Sequence, residues 1–176
     1  MNNTMVIVSG MAAAGKTTFA EWLSKELDIP LFSVDDLVYW ESEEDYPDAI
    51  SQYWLLCENA MKQFSPLIIE YGFWDEQKPT ISELIEKYKY ETVNVHFTTS
   101  AELAHQRFND RRKLYGTKPP ISLETYKEIV VHSRHFQFGN QVISVDTTDF
   151  TAVSYGDIAK QILRYTTQNG VARLPL

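Results

Sequence analysis

Apolar residues in this 176-residue chain recur in two different rhythms. Short, nearly continuous runs occur at Met5–Ser9, Leu31–Val34, Leu67–Glu70, Val93–Phe97 and Val142–Val145. Most lack polar alternation, which predicts strands covered on both faces. The gaps between them carry helical patterns. Phe19, Leu23 and Leu27 repeat at every fourth position, and Pro30 closes that segment. Helices are also predicted over Asp48–Phe64, Ser82–Tyr88, Ser100–Leu114, Ser122–Arg134 and Ala152–Tyr165. Ser100 is placed to cap its helix, with Glu102 in the first turn where the helix dipole favours an acid. Strands alternating with helices imply βαβ crossovers and a mainly parallel sheet. In such sheets ligands sit beyond the carboxyl ends of the strands.

Composition narrows the function classes. With 44% apolar and 23% charged residues the chain is ordinary globular material rather than a disordered one. No apolar run approaches the ~18–20 residues needed to span a bilayer, so no membrane partner is expected. The N-terminus lacks a basic leader and runs straight into the first strand, so it does not read as a signal peptide. The lone Cys57 excludes an internal disulfide framework and a Cys-rich zinc site, and a reducing, cytoplasmic setting is expected. It lies among Trp54, Leu55, Leu56 and Met61, which reads as a packed thiol. His96, His105, His132 and His135 show no zinc spacing. A net charge of −8 disfavours a duplex nucleic-acid partner. Without repeats or Gly/Pro/Ser-rich linkers, residues 1–176 are expected to form a single domain; oligomeric state is left open.

The most specific signal is GMAAAGKT, Gly10 to Thr17, matching G-x-x-x-x-G-K-[ST] between a predicted strand and a predicted helix. Gly10 and Gly15 permit the backbone angles that turn amides inward to form an anion nest at a helix N-terminus. Ala12, Ala13 and Ala14 are small and keep the rim clear. Lys16 would place a point charge on the β- and γ-phosphates. Thr17 would offer its hydroxyl to Mg²⁺, and Thr18 would lie nearer the α-phosphate. The chain has neither an N-K-x-D element for guanine nor a D-x-x-G switch, so ATP is the expected nucleotide. The fold class is therefore α/β: a three-layer P-loop NTPase fold with a mainly parallel five-stranded sheet and a helical lid.

Further candidates follow the second and third strands. Asp35 and Asp36 follow the second, beside the loop, where a carboxylate can accept the proton of an acceptor hydroxyl. Asp35 comes first and is the preferred base, while Asp36 could cap the next helix. Glu70 ends the third strand, placed to order Mg²⁺ through water or to orient an acceptor. Phe73 and Trp74 follow as candidate walls or plain core. The basic segment Ala104–Lys118 carries Arg107 and Arg111 four residues apart, on one helix face, with Arg112, Lys113 and Lys118 nearby. Gly116, Pro119 and Pro120 suit a hinged lid over roughly 105–120, whose arginines would neutralise charge on a transferred phosphoryl group.

These residues together resemble the small P-loop kinases that include chloramphenicol phosphotransferase, zeta toxins, adenylylsulfate kinase and the kinase part of polynucleotide kinase. The shared pattern is GMAAAGKTT, DD after strand two, an acid with GFW after strand three, an R-x-x-x-R lid and VDTT near the C-terminus. The resemblance covers roughly residues 4–165. It implies ATP- and Mg²⁺-dependent transfer to a hydroxyl, with Lys16 and Thr17 as phosphate and metal residues. It further implies Asp35 as base, Arg107 and Arg111 as lid arginines, and Asp146 to Asp149 near the adenine. Polynucleotide kinases carry an arginine two residues after the second Asp of the pair; here Val38 stands there, which speaks against a nucleic-acid end.

The stretch between strands two and three holds Trp40, Glu41, Glu43, Glu44, Asp45, Tyr46, Asp48, Tyr53 and Trp54. An acidic and aromatic wall suits a neutral or amine-bearing small-molecule hydroxyl acceptor and repels a polyanion. A nucleoside, nucleotide or polynucleotide 5′-hydroxyl kinase is the second reading. A non-catalytic ATP-binding regulatory module is the third.

Overall fold

In the computed structural model, residues 3–37, 46–72, 75–115, 119–139 and 141–168 are described. Five strands form one sheet: β1 (Asn3–Gly10), β2 (Leu31–Ser33), β3 (Leu67–Glu70), β4 (Tyr90–Thr98) and β5 (Val142–Asp146). Their spatial order is β2-β3-β1-β4-β5, and every pairing is parallel. The chain moves outward from β1 to β2, returns to β3, then crosses to β4 on the other side. Crossovers thus leave β1 in both directions, and the crevice this creates lies at its carboxyl end.

Helices cover both faces: α1 (Lys16–Leu27), the short α2 (Val34–Leu37), α3 (Tyr46–Met61), α4 (Lys78–Tyr88), α5 (Ala101–Tyr115), α6 (Leu123–Val130) and α7 (Tyr155–Gln168). Strand alternation divides the core. Val6 and Val8 of β1, with Val93, Val95 and Phe97 of β4, pack against α1, α5, α6 and α7. Met5 and Ile7 face the other way, onto Ile50, Tyr53, Cys57 and Met61 of α3 and Ile81 of α4. Cys57 is a buried thiol whose pKa burial pushes up to about 12. Both faces of β1 are therefore dry, as its unbroken apolar run requires. No helix among the described residues is long and apolar enough to cross a membrane.

Several boundaries differ from the sequence expectation. Strand β2 stops at Ser33 because Val34 already opens α2. The helix expected over Ser122–Arg134 ends at Val130. Beyond it, His96 Nε2 engages the Arg134 carbonyl at 2.9 Å and fixes a turn there instead. The helix expected from Ala152 begins at Tyr155. Asp149 caps a separate 3-10 turn over Phe150–Ala152, and the Ser154 hydroxyl accepts from the Asp157 amide to start α7. The predicted Ser100 cap is present, its hydroxyl accepting from the Leu103 amide at 3.2 Å.

Candidate functional site

Gly10 closes β1 at φ 126°, where a Cβ would meet the Phe97 carbonyl oxygen at 2.0 Å, so only glycine fits. Gly15 stands at the N-cap of α1 with φ 95°. Between them Ala13 adopts φ 61°, unusual for a residue with a Cβ. The Met11 amide donates to Phe97 O at 3.2 Å and the Ala14 amide to Met11 O at 3.2 Å. The loop is thus pinned to β4 and wound into a tight turn ahead of a helix N-terminus.

Lys16 turns back beneath this loop. Its Nζ donates to Met11 O at 3.0 Å and lies 4.0 Å from Glu70 Oε1. Burial lowers the Lys16 pKa from its ordinary value, while Glu70 and then Asp35 oppose that shift and Arg111 adds to it. Glu70 is itself buried and accepts from the Ser33 hydroxyl at 2.6 Å. Asp35, exposed in the first turn of α2, Arg111 and the Lys16–Glu70 pair therefore share one electrostatic neighbourhood.

A single cavity of about 490 Å³ joins these groups. Its floor is the loop, through Ala12, Ala13, Gly15, Lys16, Thr17 and Thr18. One wall is Val34, Asp35, Glu70, Tyr71 and Gly72; another is Arg107, Phe108 and Arg111 of α5 with Ile129, Val130 and Ser133. Gly10 and Ala14 lie behind it as buried supports of the loop. The two lid candidates are held differently. Arg111 is exposed in the cavity wall. Arg107 lies over the Phe150 ring, 4.2 Å from its centroid, and donates to Thr148 O at 3.4 Å. Arg112 instead donates to the Pro119 carbonyl, and Lys113 pairs with Asp110.

The cavity also takes in Phe150, Phe108, Ile129 and Ser133. Their place in the cavity depends on how α5, α6 and the segment after β5 pack, for which the local pattern carries no signal. The expected acidic and aromatic wall at Trp40, Glu41, Glu43, Glu44 and Asp45, the side chains of Asp36 and Tyr46, and Phe73, Trp74 and residues 116–118 of the lid lie outside the described residues. Tyr53 is fully buried core, with its hydroxyl donating to backbone carbonyls of Phe32 and Glu70, and does not line the cavity.

A protein of Chloroflexus aurantiacus J-10-fl provisionally described as a kinase superposes with a TM-score of 0.77 at 22% identity, over 97% of this chain and 98% of that one. The gluconokinase of Sinorhizobium meliloti 1021 gives 0.62 at 14% identity, over 95% and 93%. The APS kinase of Mycobacterium tuberculosis, in complex with AMPPNP and APS, gives 0.62 at 14%, over 94% and 98%. The fold is that of the P-loop kinases. At these identities the likeness carries the P-loop kinase fold and not a reaction. No protein-family model and no curated protein matches the chain.

Proposed function

We propose that the chain is an ATP- and Mg²⁺-dependent kinase that transfers the γ-phosphoryl group to a hydroxyl of a small molecule. One observation carries this reading: the phosphate loop, Lys16, Asp35, Glu70 and Arg111 open into the same cavity of about 490 Å³. The likeness to the gluconokinase and APS kinase folds supports it by analogy.

Phosphoryl transfer asks the protein mainly for positioning and charge. The loop amides and Lys16 hold the phosphates, and Arg111, with Arg107 beside it on α5, faces the charge that spreads over the transferred group. Asp35 orients the acceptor hydroxyl and takes its proton as the new oxygen–phosphorus bond forms. The bond from the γ-phosphorus to the bridging oxygen breaks, and ADP leaves. The Thr17 hydroxyl and, through water, the Glu70 carboxylate line the same cavity and are the hard oxygen donors that would hold Mg²⁺, which would supply positive charge against the phosphates. The acceptor side combines Asp35 with the apolar Val34, Tyr71, Ile129 and Val130, which suits a neutral or amine-bearing compound with a hydrocarbon face. Residues 1–176 act in this reading as one cytoplasmic kinase domain, with 105–120 as its lid.

The test is transfer of label from γ-³²P-ATP to a panel of neutral, amino and carboxylated polyols, nucleosides and a 5′-hydroxyl oligonucleotide. Labelling of a small hydroxyl compound, lost in Asp35→Asn while MgATP binding persists, is the expected result. Full transfer by Asp35→Asn removes Asp35 from the mechanism. Preferential labelling of the oligonucleotide reverses the acceptor assignment, and tight ATP binding with no acceptor in the panel favours a regulatory module.

A further inference from the structure

Two side-chain hydroxyls grip the phosphate loop from outside. Tyr126 of α6 is fully buried, and its hydroxyl donates to Ala12 O at 2.6 Å across 114 residues of sequence. Thr147, also fully buried just after β5, donates through Oγ1 to Ala14 O at 3.0 Å across 133 residues, with Thr98 O sharing the hydrogen at 3.2 Å. A carbonyl can only accept, so the direction of both bonds is fixed. Burial raises the Tyr126 pKa, so the phenol keeps the proton it donates.

The consequence comes from the geometry of the peptide unit. In a trans peptide the C=O and the following N–H point in opposite directions, and the only cis bond among the described residues is Ser65–Pro66. Drawing the Ala12 carbonyl outward to Tyr126 therefore aims the Ala13 N–H inward. Drawing the Ala14 carbonyl outward to Thr147 aims the Gly15 N–H inward. We infer that Tyr126 and Thr147 are positioning residues that hold the Ala13 and Gly15 amides toward the phosphates of the bound nucleotide. This rests on the reading above that the loop takes those phosphates. It also accounts for Ala13: a left-handed alanine costs about 1 kcal/mol and persists where its neighbours over-determine it. Preorganised amides of this kind bind anions without reorganising at the moment of binding.

Tyr126 also packs on His105 and Phe108 of α5, with ring centroids 5.7 and 5.5 Å away. The helix bearing Arg107 and Arg111 and the outer wall of the loop thus share one packing unit.

The experiment compares Tyr126→Phe, Thr147→Val and Thr147→Ser with the unaltered chain. Calorimetry gives the Kd for MgATP and for Mg-tripolyphosphate, and urea unfolding gives the stability. Loss of one orienting bond is expected to weaken both ligands by roughly fivefold to tenfold in Tyr126→Phe and Thr147→Val. Thr147→Ser, which keeps the donor, restores affinity. The Gly15 amide proton, shifted downfield by a phosphate acceptor in the unaltered complex, moves back upfield in Thr147→Val. A purely structural role lowers the urea midpoint of the variants but leaves both Kd values and the Gly15 shift of the folded protein unchanged, and that result overturns the inference. If Tyr126→Phe does not fold, the Thr147 pair decides alone. An unaltered chain that binds neither ligand sinks the kinase reading and this inference with it. Binding by the unaltered chain with variants that bind equally well sinks the inference only.

Discussion

Lys16 and His96 show how burial sets the chemistry of single side chains. Lys16 exchanges water for the Met11 carbonyl and the Glu70 carboxylate, a local arrangement that a phosphate can join without new desolvation of the ammonium. Lys16→Ala is expected to lower kcat/KM for MgATP by about 10²–10³-fold, checked by steady-state kinetics with any acceptor found active. Beneath the loop, His96 Nδ1 and the Ser9 hydroxyl share a hydrogen bond of 2.9 Å, and Asn94 Nδ2 donates to that same hydroxyl at 2.8 Å. With Nε2–H given to the Arg134 carbonyl, the neutral ring presents Nδ1 as an acceptor to the Ser9 hydroxyl. Burial lowers the His96 pKa below its ordinary 6.5; the Arg134 bond opposes the shift, while the charges of Lys16 and His135 add to it. Below pH 6.5 the unfolded chain binds more protons at this ring than the folded one. The stability it contributes is full above 6.5 and is lost as pH falls toward the lowered value. The melting temperature of the unaltered chain should therefore fall more steeply below pH 6.5 than that of His96→Gln; parallel curves would remove His96 as the cause.

Among elements, the junction of β1 with the loop is the tightest. A Gly10→Ala side chain would meet the Phe97 carbonyl at 2.0 Å, between two paired strands that cannot part without losing ladder bonds. A loss of about 3 kcal/mol or more is expected in urea unfolding. Gly15→Ala is different in kind. Its Cβ would lie 2.8 Å from the Phe150 ring, which is partly exposed and can move, leaving chiefly the cost of φ 95°. Adding Phe150→Ala should recover part of the Gly15→Ala loss, a coupling readable by a double-mutant cycle. The same distinction explains what could be read in advance. Strand β3 starts where its apolar run starts, because a doubly covered strand writes its burial into consecutive residues, and the edge strand β5 is marked instead by buried Ile143 and Val145 alternating with exposed Ser144 and Asp146. Lys16 is legible from the G-x-x-x-x-G-K-[ST] spacing, and Asp35 and Glu70 from their places just past β2 and at the end of β3; all three line the one cavity. Tyr126 and Phe150 carry no such signal, and Thr147, though inside the VDTT segment, carries none for its bond to the loop, since these partners lie across the molecule and no spacing rule connects them. Helix ends at Val130 and Tyr155 shifted for a related reason: bonds from β4 and from local Asp and Ser caps overrode a helical pattern that ran on.

At the scale of the whole molecule, the strand order brings distant segments to one crevice. Because the chain crosses from β1 to both sides, the loop after β1 is met by the ends of β2 and β3 on one flank and by α5, α6 and the segment after β5 on the other. A ligand held there touches both halves of the sheet, so its binding energy opposes global unfolding rather than one local opening. MgATP at about 100 times its Kd should add about 2.7 kcal/mol, which for a chain of this length corresponds to a rise of about 5–10 °C in melting temperature. Chelating the metal with EDTA should shrink that rise, because the β- and γ-phosphate charge is then left to Lys16 and the amides alone. Lys16→Ala should abolish most of it, and Asp35→Asn, which in the proposed reaction alters the acceptor side, should retain it. A melting temperature that does not respond to MgATP at all would mean that the crevice at the end of β1 is not a nucleotide site, however well its shape suits one.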